Sequence, residues 1–321
     1  MMEQTLPKPA WIRVRAPGGE TWKHVNEVLS RRNLHTVCDE ARCPNKGECW
    51  GMGTATFMIL GDCCTRSCRF CAVVTAKTGR PVREDEGAEI ALAAEELNLP
   101  YVVLTSVDRD DLSDRGAGHF ARCVRAVKEK NPRCKVEALI PDYFGDELIP
   151  LIKAAPDVIA HNVETVRSLQ VKIRDQRASF DKSLRTLREA AAGLAALPGQ
   201  TGNPVSTKVG SPVSTKVGNL TKSSLLLGLG ETEAEIFSAM DELREAGVNI
   251  LVLGQYLRPS KNQIPVVEYL SPETFAKLGE AALERGFASV VSSPLARTSY
   301  HARNGHADAE KHARTKELYA D

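Results

Sequence analysis

The chain has 321 residues, 42% hydrophobic and 26% charged, the balance of a soluble globular protein. Its 42 Lys and Arg stand against 41 Asp and Glu, so bulk charge excludes nucleic acid or an anionic membrane as an expected main partner. No apolar run is long enough to span a bilayer, and the first residues carry neither an apolar signal core nor an Arg/Ser-rich amphipathic stretch. The expectation is a protein that is not secreted, with bacterial cytosol and plastid or mitochondrial matrix both fitting.

Residues 1–53 are rich in turns and charge and read as an N-terminal extension. They hold a first cysteine run, Cys38, Cys43 and Cys49, spaced C-x4-C-x5-C. From Thr54 short apolar runs alternate with amphipathic helical stretches. The runs fall at 56–60, 101–105, 135–140, 157–162, 223–228 and 249–254. Such alternation implies parallel βα units. Six units predict an α/β fold, a partial (β/α)6 TIM-like barrel over 54–286. A seventh run, 288–292, falls in a C-terminal extension over 287–321 whose polar tail reads as helical or frayed. Between the helix predicted at 180–197 and the fifth run, the octapeptide at 204–211 is repeated almost unchanged at 212–219. Two copies are too few for a solenoid. Their Pro, Gly, Ser and Thr predict a surface loop insertion over about 199–221.

Nine cysteines are the informative count. An odd number argues against a complete disulfide framework, and clustered thiols in a reducing compartment favour metal. The second run is Cys63, Cys64, Cys68 and Cys71. Taken from Cys64 it is C-x3-C-x2-C with Phe70 before the last thiol. It directly follows the first predicted strand, which puts the thiols at the C-terminal face of a parallel barrel, where active sites lie. Three close thiolates can hold three irons of a 4Fe–4S cube and leave the fourth open to a chelating small molecule. A zinc knot is the alternative, but it favours paired C-x2-C spacings with a fourth ligand nearby. Cys63 does not fit the spacing and is read as a spare thiol. Cys123 and Cys134 stand apart.

The two cysteine runs in this order, with family-like stretches such as VVLTSVDRDDL, LLLGLGET and LGQYLRPS and the segment Arg297-Thr298-Ser299-Tyr300, resemble the lipoyl synthases of the radical S-adenosylmethionine superfamily. That family carries Arg-Ser-Ser-Tyr at the last segment. Thr298 therefore departs from it but keeps a hydroxyl, Cys63 replaces an apolar or small residue, and the repeat replaces a short connection. The resemblance implies that Cys64, Cys68 and Cys71 hold the cluster to which S-adenosylmethionine binds. It implies that Cys38, Cys43, Cys49 and Ser299 hold an auxiliary 4Fe–4S cluster that gives up sulfur. The implied reaction inserts two sulfur atoms at C6 and C8 of a protein-bound octanoyl-lysine.

The implied partners are octanoylated lipoyl-carrier domains (acyltransferase subunits of 2-oxoacid dehydrogenases and the glycine-cleavage H protein), a ferredoxin- or flavodoxin-type electron donor and an iron–sulfur carrier protein. Candidates for the S-adenosylmethionine pocket are Thr105, Ser106, Glu137, Asn162, Gly228 and Gly230. Asp108, Glu164, Gln255 and Tyr256 are further residues at or after strand ends. The Arg-Thr-Ser-Tyr segment argues against another sulfur-inserting radical enzyme with an auxiliary cluster, and iron and sulfide content with S-adenosylmethionine cleavage would separate a non-catalytic iron–sulfur or zinc scaffold.

Overall fold

A computed structural model describes residues 6–197 and 219–318, with side chains as far as 313. The repeat, apart from its last residue, lies outside the described residues. The strands are β1 (His35–Thr36), β2 (Thr56–Ile59), β3 (Cys63–Cys64), β4 (Val74–Thr75), β5 (Tyr101–Ser106), β6 (Lys135–Leu139), β7 (Val158–Ala160), β8 (Leu220–Leu227), β9 (Ile250–Gln255) and β10 (Ser289–Ser293). The helices are α1 (Glu20–Arg31), α2 (Val37–Glu40), α3 (Lys46–Gly51), α4 (Glu86–Glu96), α5 (Ala117–Lys130), α6 (Leu148–Lys153), α7 (Gln170–Ile173), α8 (Phe180–Ala195), α9 (Glu233–Glu245), α10 (Pro272–Glu284) and α11 (Ala302–Leu318).

One sheet of eight strands runs β1-β2-β5-β6-β7-β8-β9-β10. β1 is antiparallel to β2, and every other pairing is parallel. The run expected in the C-terminal extension is thus a seventh parallel strand, β10, paired to β9 from Ser289↔Ile250 to Ser293↔Gly254. The sheet is an open, partial barrel rather than a closed one. Its central strands, such as β5 and β9, are buried on both faces, which is why they read as unbroken apolar runs rather than alternating ones.

Helices cover the outside. On α5, Phe120, Val124 and Val127 recur at helical spacing and are fully buried against α4 and β5–β6. On α8 and α9, Phe180, Leu184, Leu187, Ile236, Met240 and Leu243 form a second core with β8 and β9. Helix starts are chemically marked. Ser179 and Ser271 accept the Lys182 and Thr274 N–H groups, and Thr232 with Glu235 forms a capping box.

Two features position the site. α11 returns to the N-terminal end of the barrel, where Ala309 packs on Val158, Leu220 and Ile250, the residues that open β7, β8 and β9. The opposite, C-terminal end stays concave. There the two free edges of the sheet are joined by loops. The Asn45 side-chain amide donates to the Leu295 carbonyl at 2.7 Å and the Tyr300 hydroxyl to Glu48 at 2.9 Å. Beyond Tyr300 the described residues are helical over Ala302–Leu318.

Candidate active site

The C-terminal mouth of the sheet encloses a cavity of about 320 Å³. Met58, Thr105 and Ser106, Leu139, Ser224 and Leu226, and Tyr256 line it from strand ends or just beyond. Cys64, Cys68 and Cys71 line it from one loop, and Cys43 and Ser299 from the seam between the sheet edges.

The cysteine loop leaves β2, pairs briefly as β3 with β4 at Cys63↔Val74, and is tied down by backbone. Thr65 N–H donates to the Asp108 carbonyl at 2.9 Å, Arg69 N–H to the Ile173 carbonyl at 2.9 Å, and the Gln263 amide to the Cys71 carbonyl at 3.0 Å. Two amides point at sulfur: Arg66 N–H at Cys64 Sγ and Asp175 N–H at Cys68 Sγ, both at 3.4 Å. Such donors favour thiolate over thiol.

In the seam, Cys38 lies on α2 and Cys49 on α3, both close behind Cys43. The Asn45–Leu295 and Tyr300–Glu48 bonds bring the loop after β10 onto them. Asn162 donates to the Thr298 hydroxyl at 2.9 Å, fixing the residue before Ser299 against the end of β7.

All six candidate thiols are free. Burial pushes Cys49, Cys64 and Cys68 up to about 12 and Cys38 up to about 11. Neighbouring charge adds to this: Cys38 and Cys43 act on Cys49, and Asp108 and Cys71 on Cys64 and Cys68. Cys43 and Cys71 are raised for the same main reason. Three thiols that feel one another, with amide donors or arginine (Arg174 by Cys68, Arg297 by Cys43) alongside, form a donor set that fits a 4Fe–4S cluster. Both sets meet that test.

Because a thiol below its pKa gains thiolate about tenfold per pH unit, alkylation of the metal-free protein at Cys49, Cys64 and Cys68 should rise about that steeply from about pH 7 to about pH 10. Mass spectrometry after iodoacetamide pulses measures it, and a plateau before about pH 9 would contradict the buried, proton-holding sites.

Charge around the second set is organised by Arg66, only 5% exposed. Its guanidinium holds Asp110 at 2.9 Å, lies 3.3 Å from Asp108 and bonds Asp142. Burial alone would lift the Asp142 carboxyl. The hydrogen bond and charge of His161, with Arg174 and Arg66, outweigh it and hold the group well below the usual carboxylate range. Asp108, 3.9 Å from Cys64 Sγ, and Glu164, in the field of Cys71, are both pushed up by burial. Arg66, Asp142, Arg174 and Asp175 had no sequence signal beyond the position of Arg66 inside the cysteine loop.

Of the pocket candidates, Thr105, Ser106 and Asn162 line the cavity, as do Asp108, Glu164 and Tyr256. Glu137 does not. It is fully buried within the barrel, paired with Lys222 at 2.9 Å and accepting the Tyr101 hydroxyl at 2.7 Å. Gly228 and Gly230 do not line it either. Both have positive φ, and a Cβ on Gly228 would fall 2.2 Å from the Glu268 carbonyl, so this glycine admits a close backbone crossing. The Gln255 amide bridges the Leu227, Tyr256 and Glu268 carbonyls beneath that crossing. Cys63, Cys123 and Cys134 are buried and free.

Among the described residues, no helix is long and apolar enough to cross a membrane. The profile of the Radical SAM superfamily matches residues 58–194, and that of the N-terminal domain of lipoyl synthase matches residues 2–43. Solved structures with the same fold include the FeFe-hydrogenase maturase HydG from Carboxydothermus hydrogenoformans, with TM-score 0.55 and 15% identity over 78% of this chain and 56% of that one. Methylornithine synthase gives TM-score 0.52 and 13% identity over 80% and 68%.

Sequence relatives are nearer. The lipoyl synthase of Sorangium cellulosum is 48% identical, covering 94% of this chain and 79% of that protein. The lipoyl synthase of Methanocella arvoryzae is 47% identical over 94% and 95%, and a mitochondrial lipoyl synthase from Picea sitchensis is 46% identical over 92% and 73%. With identity of this level over more than nine-tenths of its length, the chain belongs to the lipoyl synthase family of radical S-adenosylmethionine enzymes.

Proposed function

We propose that this cavity is where two sulfur atoms are inserted at C6 and C8 of an octanoyl chain held on a carrier lysine. The observation that carries the reading is that Cys43 and Ser299 line the same cavity as Cys64, Cys68 and Cys71. Those carbons are unactivated, and a side-chain base, worth ~10²–10⁴-fold, cannot take their hydrogens at useful rates. The family's cofactors, S-adenosylmethionine and two 4Fe–4S clusters, supply a radical that can take them and a sulfide to replace them.

The chain's own residues do the positioning. Cys64, Cys68 and Cys71 would hold one cluster, and Cys38, Cys43, Cys49 and Ser299 would hold the other. Arg66 N–H and Asp175 N–H stabilise the sulfurs they face. Thr105, Ser106 and Asn162 offer hydroxyl and amide groups to the polar ends of S-adenosylmethionine. Met58, Ile140, Val73, Leu226 and Leu257 give the cavity apolar walls that suit an acyl chain and exclude water.

In this reading residues 1–53 and 287–321 act together as the sulfur-donating part around a core of 54–286. The carriers are the acyltransferase subunits of 2-oxoacid dehydrogenases and the glycine-cleavage H protein. A ferredoxin or flavodoxin gives the electron, an iron–sulfur carrier restores the donor, and the setting is bacterial cytosol or an organelle matrix. The test is anaerobic reconstitution and assay on an octanoyl-lysine peptide. Iron and sulfide near eight each per chain (two cubes of four) with lipoyl product are expected. About four irons per chain would overturn the two-cluster reading.

A further inference from the structure

Leu60 is the residue at which β2 ends and the cysteine loop begins, and its φ is 68°. A left-handed conformation is strained for a bulky residue and persists only when its surroundings fix it. Gly61 follows with φ 92°, so two successive residues turn the chain toward Cys63 and Cys64.

Both polar groups of Leu60 are gripped by buried side chains from opposite sides. Its N–H donates to Glu86 Oε2 at 3.0 Å. Its carbonyl accepts from Arg109 Nη1 at 3.0 Å. Each grip is itself braced. His119 Nε2 lies 2.7 Å from the same Glu86 oxygen, and Arg122 reaches His119 Nδ1 at 3.2 Å. A guanidinium can only donate, so Nδ1 carries the lone pair and Nε2 the proton given to Glu86. Arg109 makes a two-pronged pair with Asp111 at 2.8 and 2.9 Å, and Asp111 also accepts the Gly79 N–H at 3.1 Å. The Leu60 side chain is sealed by Gly116, where a Cβ would come within 2.4 Å of it.

Glu86, His119 and Cys123 also place one ligand atom each within 4.8 Å of one another, the layout of a buried metal site. The hydrogen bonds speak against it: His119 Nε2 is spent on Glu86, and Glu86 on the Leu60 amide.

We propose that Glu86–His119 and Arg109–Asp111 form a two-sided clamp whose task is to hold Leu60 left-handed and so aim the Cys64/Cys68/Cys71 loop at the cavity. These are positioning residues; none of the four lines the cavity. Arg109 adjoins Asp108, whose carbonyl accepts both Thr65 N–H and the Thr65 hydroxyl at 2.9 Å, so the same clamp sets the far wall of the loop. The inference rests on the reading that these three cysteines hold the cluster that binds S-adenosylmethionine.

The test uses Glu86→Ala, Glu86→Gln and Arg109→Gln. In the metal-free protein, amide hydrogen exchange across 60–62 should accelerate in Glu86→Ala and Arg109→Gln. It should stay near the parent rate in Glu86→Gln, whose amide oxygen still accepts the Leu60 N–H. In protein carrying both clusters, Glu86→Ala and Arg109→Gln should cleave S-adenosylmethionine on the order of ten- to a hundred-fold more slowly. The electron paramagnetic resonance signal of the substrate-binding cluster should change while that of the auxiliary cluster does not.

Parent-like exchange and signal in both variants would overturn the clamp. So would equal loss of both cluster signals together with a fall in Tm, which marks a general loss of structure. If Glu86→Ala does not fold, Arg109→Gln carries the same comparison from the other side. Cys68→Ala separates the two claims. A retained substrate-binding cluster there overturns the ligand assignment, whereas its loss beside an unaltered Glu86→Ala overturns the clamp alone.

Discussion

Replacing Ser299 with alanine should leave S-adenosylmethionine cleavage within about two-fold of the parent and lower lipoyl product on the order of a hundred-fold, since loss of even the groups that support metal ligands costs 10–100-fold. The asymmetry follows from where Ser299 sits. It is carried by the loop after β10, which is fastened to the first cysteine run by Tyr300–Glu48 and Asn45–Leu295. The Cys64/Cys68/Cys71 loop is fastened elsewhere, to Asp108, Ile173 and Gln263.

A serine oxygen is harder than a thiolate and a poorer partner for iron in a sulfide cage. As the proposed fourth ligand, Ser299 would be the weakest of the contacts holding a cluster that has to give up sulfur. Ser299→Cys should therefore assemble the auxiliary cluster at least as fully as the parent and still make product more slowly. Iron content, 5′-deoxyadenosine and lipoyl-peptide mass, measured on one sample, decide it. Product at the parent rate from Ser299→Ala would remove this residue from the site.

What could be read in advance was what is encoded locally. Parallel strands buried on both faces print as apolar runs, so the central strands were visible, and half-buried β10 showed through its Val290–Val291 pair. The thiol spacing lies within one loop and needs no fold to be recognised. What could not be read depends on partners far away in the chain. Lys222 lies inside β8, yet the sequence predicts that strand only from 223, because Thr221 and Lys222 look like loop. They are buried because Glu137, 85 residues earlier, neutralises the lysine. The same pairing removed Glu137 from the pocket candidates. Asp142 and Asp175 carry no local mark either, since their roles come from Arg66, His161 and Arg177. The C-terminal run looked like an extension because nothing in 288–292 says that β9 is its neighbour.

Arg66→Met should cost about 3–5 kcal/mol of stability, the usual penalty for removing one partner from a buried ion pair. The guanidinium is 5% exposed and contacts three carboxylates, of Asp108, Asp110 and Asp142, the last 1% exposed. Methionine fills similar space but leaves those charges facing one another. Arg177 still reaches Asp110 at 3.3 Å, and His161 and Arg174 remain near Asp142, so the loss stops short of a fully isolated charge.

The pH dependence has a definite sign. In the parent, the depressed Asp142 carboxyl contributes stability that is present above its unfolded value, ~4, and is lost as pH falls through its lower folded value. Without Arg66 that folded value moves up, toward the unfolded one. The variant therefore has less stability to lose on acidification, and its deficit against the parent narrows below about pH 4. Urea unfolding of the metal-free proteins at neutral and acid pH reads both effects. Adding Asp142→Asn to Arg66→Met should recover part of the loss, because it removes the charge that was stranded. A deficit under about 1 kcal/mol at neutral pH would mean that water already reaches these carboxylates, and that Arg66 serves the cysteine loop through its backbone N–H alone.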